Sequence, residues 1–294
     1  MKQYRIGILG TENSHALHFA SAFNKQCEEN PRYKGFRVTA LFGHYPEENK
    51  KMSEEYGIDF IADKPEDMIG KVDAGIVCAR DGKFHYEFAK PFIDAGLPLF
   101  LDKPTTIEMS ETFELLSLAK KNNIPVCGGS VLKYAPMVNK CRDFVNEKRD
   151  TVSGGFVAAP LFLDSPYSGF YFYAAHLVEI CLPVFGWNPL SVIAIKNEKG
   201  VDMSVDYGTF SVVCKYNDFC PDYACGVFEK ETSILEKIDL ENSQDAECDD
   251  FVQMVESGKM PYSYEEIAMP IVVMNAIEES YKTGKRVFVD KVEV

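Results

Sequence analysis

Positive charge is in short supply: 31 Lys and Arg stand against 45 Asp and Glu, a formal net charge of −14. No basic cluster offsets this locally, so a phosphate backbone or an anionic membrane would be repelled, and nucleic acid and membrane are excluded as expected partners. Long apolar runs are also missing. The N-terminal residues pass directly into a strand-like Ile6-Gly7-Ile8-Leu9 with no cleavage-type site behind it, so nothing signals export and a cytoplasmic location is expected. The nine cysteines have no Cys-x-x-Cys spacing, and Cys78, Cys127, Cys181 and Cys214 sit in apolar stretches, which reads as reduced, buried thiols. Cys220 and Cys225 have no nearby His to complete a zinc set, and no metal site is expected. Tryptophan is nearly absent, Trp187 alone against 15 Tyr and 21 Phe, so aromatic packing and any aromatic pocket must come from the latter two. There is no internal repeat, low-complexity tract or clear linker.

What is present is a regular alternation. Candidate strands at residues 4–9, 36–42, 59–62, 74–78, 97–101 and 124–127 alternate with helical patterns at 14–25, 46–56, 65–69, 84–95 and 109–122. Strand and helix alternating in this way predict a doubly wound parallel α/β sheet, a Rossmann-type domain over residues 1–127. From residue 128 to 294 the pattern changes to longer strands at 153–163, 190–196, 206–216 and 223–228, with helices at 135–147, 174–185, 246–257 and 267–282. This predicts an α+β domain with a largely antiparallel open sheet, one face covered by those helices and the other free to become a subunit interface.

The first strand-to-helix turn is Gly10-Thr11-Glu12-Asn13-Ser14-His15, placed where such a fold seats a dinucleotide pyrophosphate on a helix N-terminus. Of G-x-G-x-x-G only the first glycine remains, and Glu12 stands at the second. At ~4 Å from a phosphate and an effective dielectric of about 20, a carboxylate there costs on the order of 4 kcal/mol before screening. Either Glu12 points away, or His15 and His18 are protonated and offset it; the alternative is a helix cap at Asn13 or Ser14 with no anion site at all. At the end of the second strand, where Asp or Glu commonly holds the adenine ribose, the run is Leu41-Phe42-Gly43-His44. Missing that carboxylate, Gly43 and His44 lean toward NADP over NAD, or His44 is a surface loop residue.

The fifth strand ends in Asp102-Lys103-Pro104, which aims Lys103 at the crevice where parallel sheets bind ligands. His176 lies in the apolar helical stretch Tyr171-Phe172-Tyr173-Ala174-Ala175-His176-Leu177-Val178-Glu179, where a lone histidine is a core residue or an acid–base group.

These residues in this order resemble the glucose–fructose oxidoreductase/inositol dehydrogenase family (Gfo/Idh/MocA). Asp102-Lys103-Pro104 matches that family's Glu-Lys-Pro, His85 its histidine at the start of the preceding helix, and Gly129 through Pro136 its lead-in to the second domain, with Lys133 where Arg is usual. The segment from Glu265 to Val287 is similar to its closing helix and strand. The resemblance implies NAD or NADP as cofactor, bound by Gly10, Thr11, Glu12, Asn13, Ser14, His15, Gly43, His44, Asp102 and Lys103. It also implies a small-molecule substrate and a homo-oligomer, dimer or tetramer, through the second-domain sheet. In the family's Asp-x-Gly-x-His segment the His is the acid–base group and the Lys assists; here His176 and Lys103 remain, Ala174 replaces the Gly and Phe172 the Asp. Glu179, one helical turn on, is a substitute partner for His176, and Lys133, Tyr171 and Tyr173 complete the expected substrate residues.

The first expectation is therefore an NAD(P)-dependent oxidoreductase of a sugar, polyol or related hydroxyl compound. The departures at Glu12, Gly43 and Phe172 motivate a second, a non-catalytic nucleotide- or sugar-binding or regulatory protein. A third is a hydrolase or lyase that uses tightly held NAD transiently.

Overall fold

The computed structural model describes residues 2–27, 30–218, 220–241 and 243–294. The chain forms two compact units, residues 1–129 with 245–267 and 294, and residues 130–244 with 268–293.

In the first unit, β1 (Tyr4–Leu9), α1 (Ser14–Asn24), β2 (Phe36–Phe42), α2 (Pro46–Tyr56), β3 (Phe60–Ile61), β4 (Ala74–Val77), α3 (His85–Asp94), β5 (Leu99–Asp102), α4 (Met109–Lys121) and β6 (Val126–Gly129) follow in sequence. All neighbouring strands are parallel, in the order β3-β2-β1-β4-β5-β6. The sheet interior is continuous in Ile6, Ile8, Val38, Leu41, Ile76 and Phe100, each essentially inaccessible, as expected of strands covered on both faces. The strand order reverses between β1 and β4, so the carboxyl ends of these two strands mark where such a sheet binds ligands. Gly10 sits at that point with φ +102°, and a Cβ on it would lie 2.2 Å from the Ala79 amide nitrogen. Only glycine lets the turn after β1 pack this closely against the chain leaving β4.

The second unit contains α5 (Pro136–Glu147), β7 (Val152–Pro160), α6 (Tyr171–Phe185), β8 (Ser191–Asn197), β9 (Gly200–Asp206), β10 (Ser211–Asn217), β11 (Ala224–Glu229) and β12 (Ser233–Lys237). The chain then runs through α7 (Ser243–Ser257) and α8 (Tyr264–Thr283) to β13 (Val287–Phe288). The sheet order is β12-β11-β7-β10-β9-β8-β13, antiparallel except for the β7–β10 pair. One register row runs Ile193, Ser204, Val213, Phe156, Gly226, Leu235 across six strands. Ile195, Val213 and Leu235 are 67%, 61% and 51% exposed, so this face presents aliphatic side chains to solvent, while α5 and α6 lie against the sheet elsewhere.

Two expectations need correction. The stretch 206–216 is not one strand but the β9–β10 hairpin, which turns at Gly208 with φ +85°. The helix expected at 246–257 does not cover the second sheet. It is α7, and its Cys248, Phe251, Val252 and Met254 join the first unit's core with Phe19, Phe23 and Phe100. Phe251 lies edge-on to Phe19, with ring centroids 6.2 Å apart, and 6.0 Å from Phe23. The first unit thus has an aromatic socket that α7 fills.

Candidate functional site

The turn after β1 is organised by Asn13. Its Oδ1 accepts from the His15 amide at the start of α1, while its Nδ2 donates to the Cys78 carbonyl beyond β4 (2.9 Å) and to Asp102 Oδ2 at the end of β5 (3.2 Å). One amide side chain therefore caps the helix and ties together the ends of three parallel strands. Thr11 Oγ1 donates to Asn49 Oδ1 (2.6 Å), and Asn49 Nδ2 donates to the Gly43 carbonyl (2.8 Å). A Cβ on Gly43 would meet Thr11 Oγ1 at 2.6 Å and Asn49 Oδ1 at 2.8 Å, so the glycine there is required by packing.

Glu12 does not point at the helix N-terminus. Its carboxylate accepts from the Arg80 amide at 2.8 Å, and the Arg80 guanidinium donates to the Glu12 carbonyl. The bulk and charge expected to obstruct a phosphate are bound to the loop after β4. His44 is exposed and packs edge-on against Phe84 (4.5 Å), Phe88 (5.1 Å) and Phe42 (5.6 Å), with Nε2 3.8 Å from the Glu87 carboxylate. A carboxylate is thus present beside the end of β2 after all, supplied by α3.

His15 Nδ1 lies 3.1 Å from Asp102 Oδ2, close enough for an ion pair but off the axis of an aligned hydrogen bond. The buried Glu247 of α7 completes a trio whose donor atoms all lie within 4.8 Å of one another. Burial alone would push the imidazole down. The Asp102 carboxylate outweighs this, Glu247 adds to it and Lys103 opposes it, and His15 is raised from 6.5 to about 9. Asp102, whose burial disfavours ionisation, is nonetheless held below the usual carboxylate range by His15, Lys103 and His85. The protonated alternative for His15 is therefore the one the surroundings support.

Lys103 is buried, and its amide donates to the Asp102 carboxylate at 2.7 Å. The ring of His85 bridges two carbonyls, Nδ1 at 2.7 Å from Pro104 and Nε2 at 2.8 Å from Ala79. It fixes the loop carrying Lys103 to the loop carrying Arg80.

A second group forms in the other unit. His176 Nδ1 is 2.7 Å from Ser130 Oγ, the Ser130 amide donates to Glu179 Oε2 (2.7 Å), and Lys133 Nζ is 3.7 Å from the same oxygen. All four residues are buried. Glu179 anchors the Ser130 amide, and Ser130 contacts the imidazole. Tyr173 and Tyr223 pack edge-on to His176 at 5.0 and 5.8 Å, whereas Tyr171 donates to Glu278 at 3.2 Å. Arg80, Asn49, Ser130 and Glu247 were not anticipated from sequence. Arg80 had a signal in its place just after β4 and Ser130 in its place within the Gly129–Pro136 lead-in; Glu247 had none.

Residues 4–129 match the GFO_IDH_MocA model, described as an oxidoreductase family with an NAD-binding Rossmann fold. An uncharacterized oxidoreductase of Synechocystis sp. is 23% identical over 133 residues, 45% of this chain and 33% of that protein. The match therefore spans about a third of the curated relative's length. Among solved structures, myo-inositol 2-dehydrogenase from Lactobacillus plantarum is 14% identical with a TM-score of 0.84, over 98% of this chain and 100% of that one. Scyllo-inositol dehydrogenase from Lactobacillus casei, solved with NAD(H) and scyllo-inositol, gives 0.84 at 12% identity over 98% and 99%. Levoglucosan dehydrogenase, solved with NADH and L-sorbose, gives 0.84 at 12% over 99% and 100%. Among the described residues no helix is long and apolar enough to cross a membrane. The β1-to-β6 order, the turn at Gly10 and the Asp102-Lys103-Pro104 strand end agree with the match of residues 4–129 to the Gfo/Idh/MocA oxidoreductase family and its NAD-binding Rossmann fold.

Proposed function

We propose that this protein is an NAD-dependent oxidoreductase acting on a hydroxyl-bearing carbon of a sugar, polyol or related compound. The observation that carries the reading is the Glu12 carboxylate bonded to the Arg80 amide. It removes the main objection to a dinucleotide at a turn that has lost two of its three glycines. The α1 N-terminus favours the diphosphate through its dipole. His15, raised to about 9, is an imidazolium at neutral pH and offsets the Asp102 carboxylate that would otherwise face the diphosphate. Glu87, beside His44, favours NAD over a 2′-phosphorylated cofactor by like-charge repulsion. When bound, NAD supplies the hydride acceptor.

His176 exchanges the hydroxyl proton through Nε2 while Ser130, anchored by Glu179, holds the ring at Nδ1. Lys133 and Tyr173 complete the substrate side in the second unit, and Lys103 keeps the assisting role that the resemblance gives it. The exposed aliphatic row on the second sheet pairs with a second copy, giving a homo-oligomer. The inositol and sugar ligands of the structural neighbours support the substrate class.

Calorimetric titration with NAD⁺, NADH, NADP⁺ and NADPH, then turnover of inositols and hexoses, tests the reading. Micromolar binding of NAD⁺ or NADH with turnover of one polyol is expected. Silence with all four dinucleotides overturns it in favour of a non-redox binding protein, the reading that Phe172 in place of the family's Asp favours. Ser130→Ala is expected to lower kcat by about tenfold or more and displace the kcat pH profile, with dinucleotide affinity unchanged. An unmoved profile rules out the role given to Ser130.

A further inference from the structure

The second unit holds a cavity of about 440 Å³, within the range of small-ligand sites. Phe162, Tyr167, Phe172 and Tyr173 line it together with Asp164 and Asp218. The rings interlock: Phe162 lies edge-on to Tyr173 at 4.7 Å, Phe172 is 5.0 Å from Tyr173, and Tyr167 is 5.1 Å from Phe172. Phe172 occupies the position that the family resemblance assigns to a carboxylate beside His176, so the aromatic wall has been extended where a polar group was expected. Tyr173 belongs both to this wall and to the packing around His176.

The charge of the cavity is one-sided. Neither Asp164 nor Asp218 takes part in a salt bridge among the described residues, and none of the lining residues is Lys, Arg or His. Two carboxylates beside aromatic faces repel a uronate or a sugar phosphate. A neutral hexose would leave both charges uncompensated. An ammonium group suits both features, because it is attracted by carboxylates and by the negative faces of the rings.

We propose that this cavity selects a cationic, amine-bearing sugar or cyclic polyol, the amine seated between the aromatic wall and Asp164 and Asp218. The proposal rests on the oxidoreductase reading in one respect: it takes the cavity beside Tyr173 as the substrate side of His176. The amine binds here, and a ring hydroxyl is presented to the imidazole. An exposed ring pair alone would bind sugars of any charge by stacking; the carboxylates make the preference cationic.

The test is calorimetry on the full chain with two matched pairs, D-glucosamine against D-glucose and scyllo-inosamine against scyllo-inositol, with and without saturating NAD⁺. The amine of at least one pair is expected to bind about tenfold more tightly than its hydroxyl counterpart at low salt. The difference should shrink at high salt and fall in Asp164→Asn and in Asp218→Asn, with circular dichroism confirming that each variant is folded. Equal affinities within both pairs, tighter binding of the neutral member, or no binding of either amine overturns the proposal. Amine binding with no binding of any dinucleotide keeps the cavity's specificity and sinks the oxidoreductase reading instead.

Discussion

If His15 is an imidazolium held by Asp102 and Glu247, the protein should lose stability as the medium becomes alkaline, well before its lysines titrate. The value in the fold is about 9 against 6.5 for an unconstrained imidazole, and at 1.36 kcal/mol for each pH unit this amounts to about 3 kcal/mol. Because the folded value lies above the unfolded one, the contribution is complete below pH 6.5 and is lost as pH rises through about 9. His15→Gln alone would strand the buried Asp102, which could then titrate in the same window, so the informative variant pairs His15→Gln with Asp102→Asn. Urea denaturation followed by tyrosine fluorescence at pH 6, 7.5 and 9.5 should show the wild type losing about 3 kcal/mol relative to the paired variant. Titration of His15 by ¹⁵N nuclear magnetic resonance gives the same quantity directly. Parallel stability profiles, or a His15 midpoint at or below 6.5, would refute the ion-pair account.

Two further outcomes follow from packing. Phe251→Ala in α7 removes a ring that closes the first unit's core and should cost about 3–5 kcal/mol in denaturant unfolding, despite lying outside residues 1–129. A loss under about 1 kcal/mol would show that α7 is not part of that core. Replacing Ile195 and Val213 by Lys places charge on the exposed sheet face and should convert a dimer or tetramer into monomer by light scattering, with folded-state circular dichroism retained. A wild-type monomer would contradict the pairing proposed for that face.

Much of the first unit is legible in its sequence because local signals and tertiary structure agree there. Tyr4–Leu9, Phe36–Phe42 and Pro46–Tyr56 stand where their apolar periodicity places them, bounded by Gly10, Gly43 and Gly57. The β9–β10 hairpin was obscured because Val205 and Phe210 keep an apolar rhythm across the turn, and the positive φ of Gly208 leaves only a single glycine as its mark. The beginning of α6 at Tyr171 was missed for a related reason: Phe170 offers no capping side chain, and aromatic residues do not announce a helix start.

The site was legible by position more than by partnership. Gly10, Asp102, Lys103 and His176 are candidates legible in the sequence because strand ends and motif order point to them. What they touch is not, since contacts such as Glu12 with Arg80, His15 with Glu247 and His176 with Ser130 join residues 46 to 232 positions apart. Such pairings depend on the folded chain and leave no local period.

The placement of α7 also bears on how the protein is made. During synthesis the six parallel strands are complete once Gly129 has emerged, yet Phe19, Phe23 and Phe100 must wait for Phe251 before their aromatic faces are covered. A nascent chain paused between these points carries an open apolar groove, a ready target for chaperones. Residues 1–129 expressed alone would carry the same groove permanently. A stable excised nucleotide-binding fragment therefore needs residues 245–267 attached, most simply by joining them behind Gly129 through a short Gly/Ser linker.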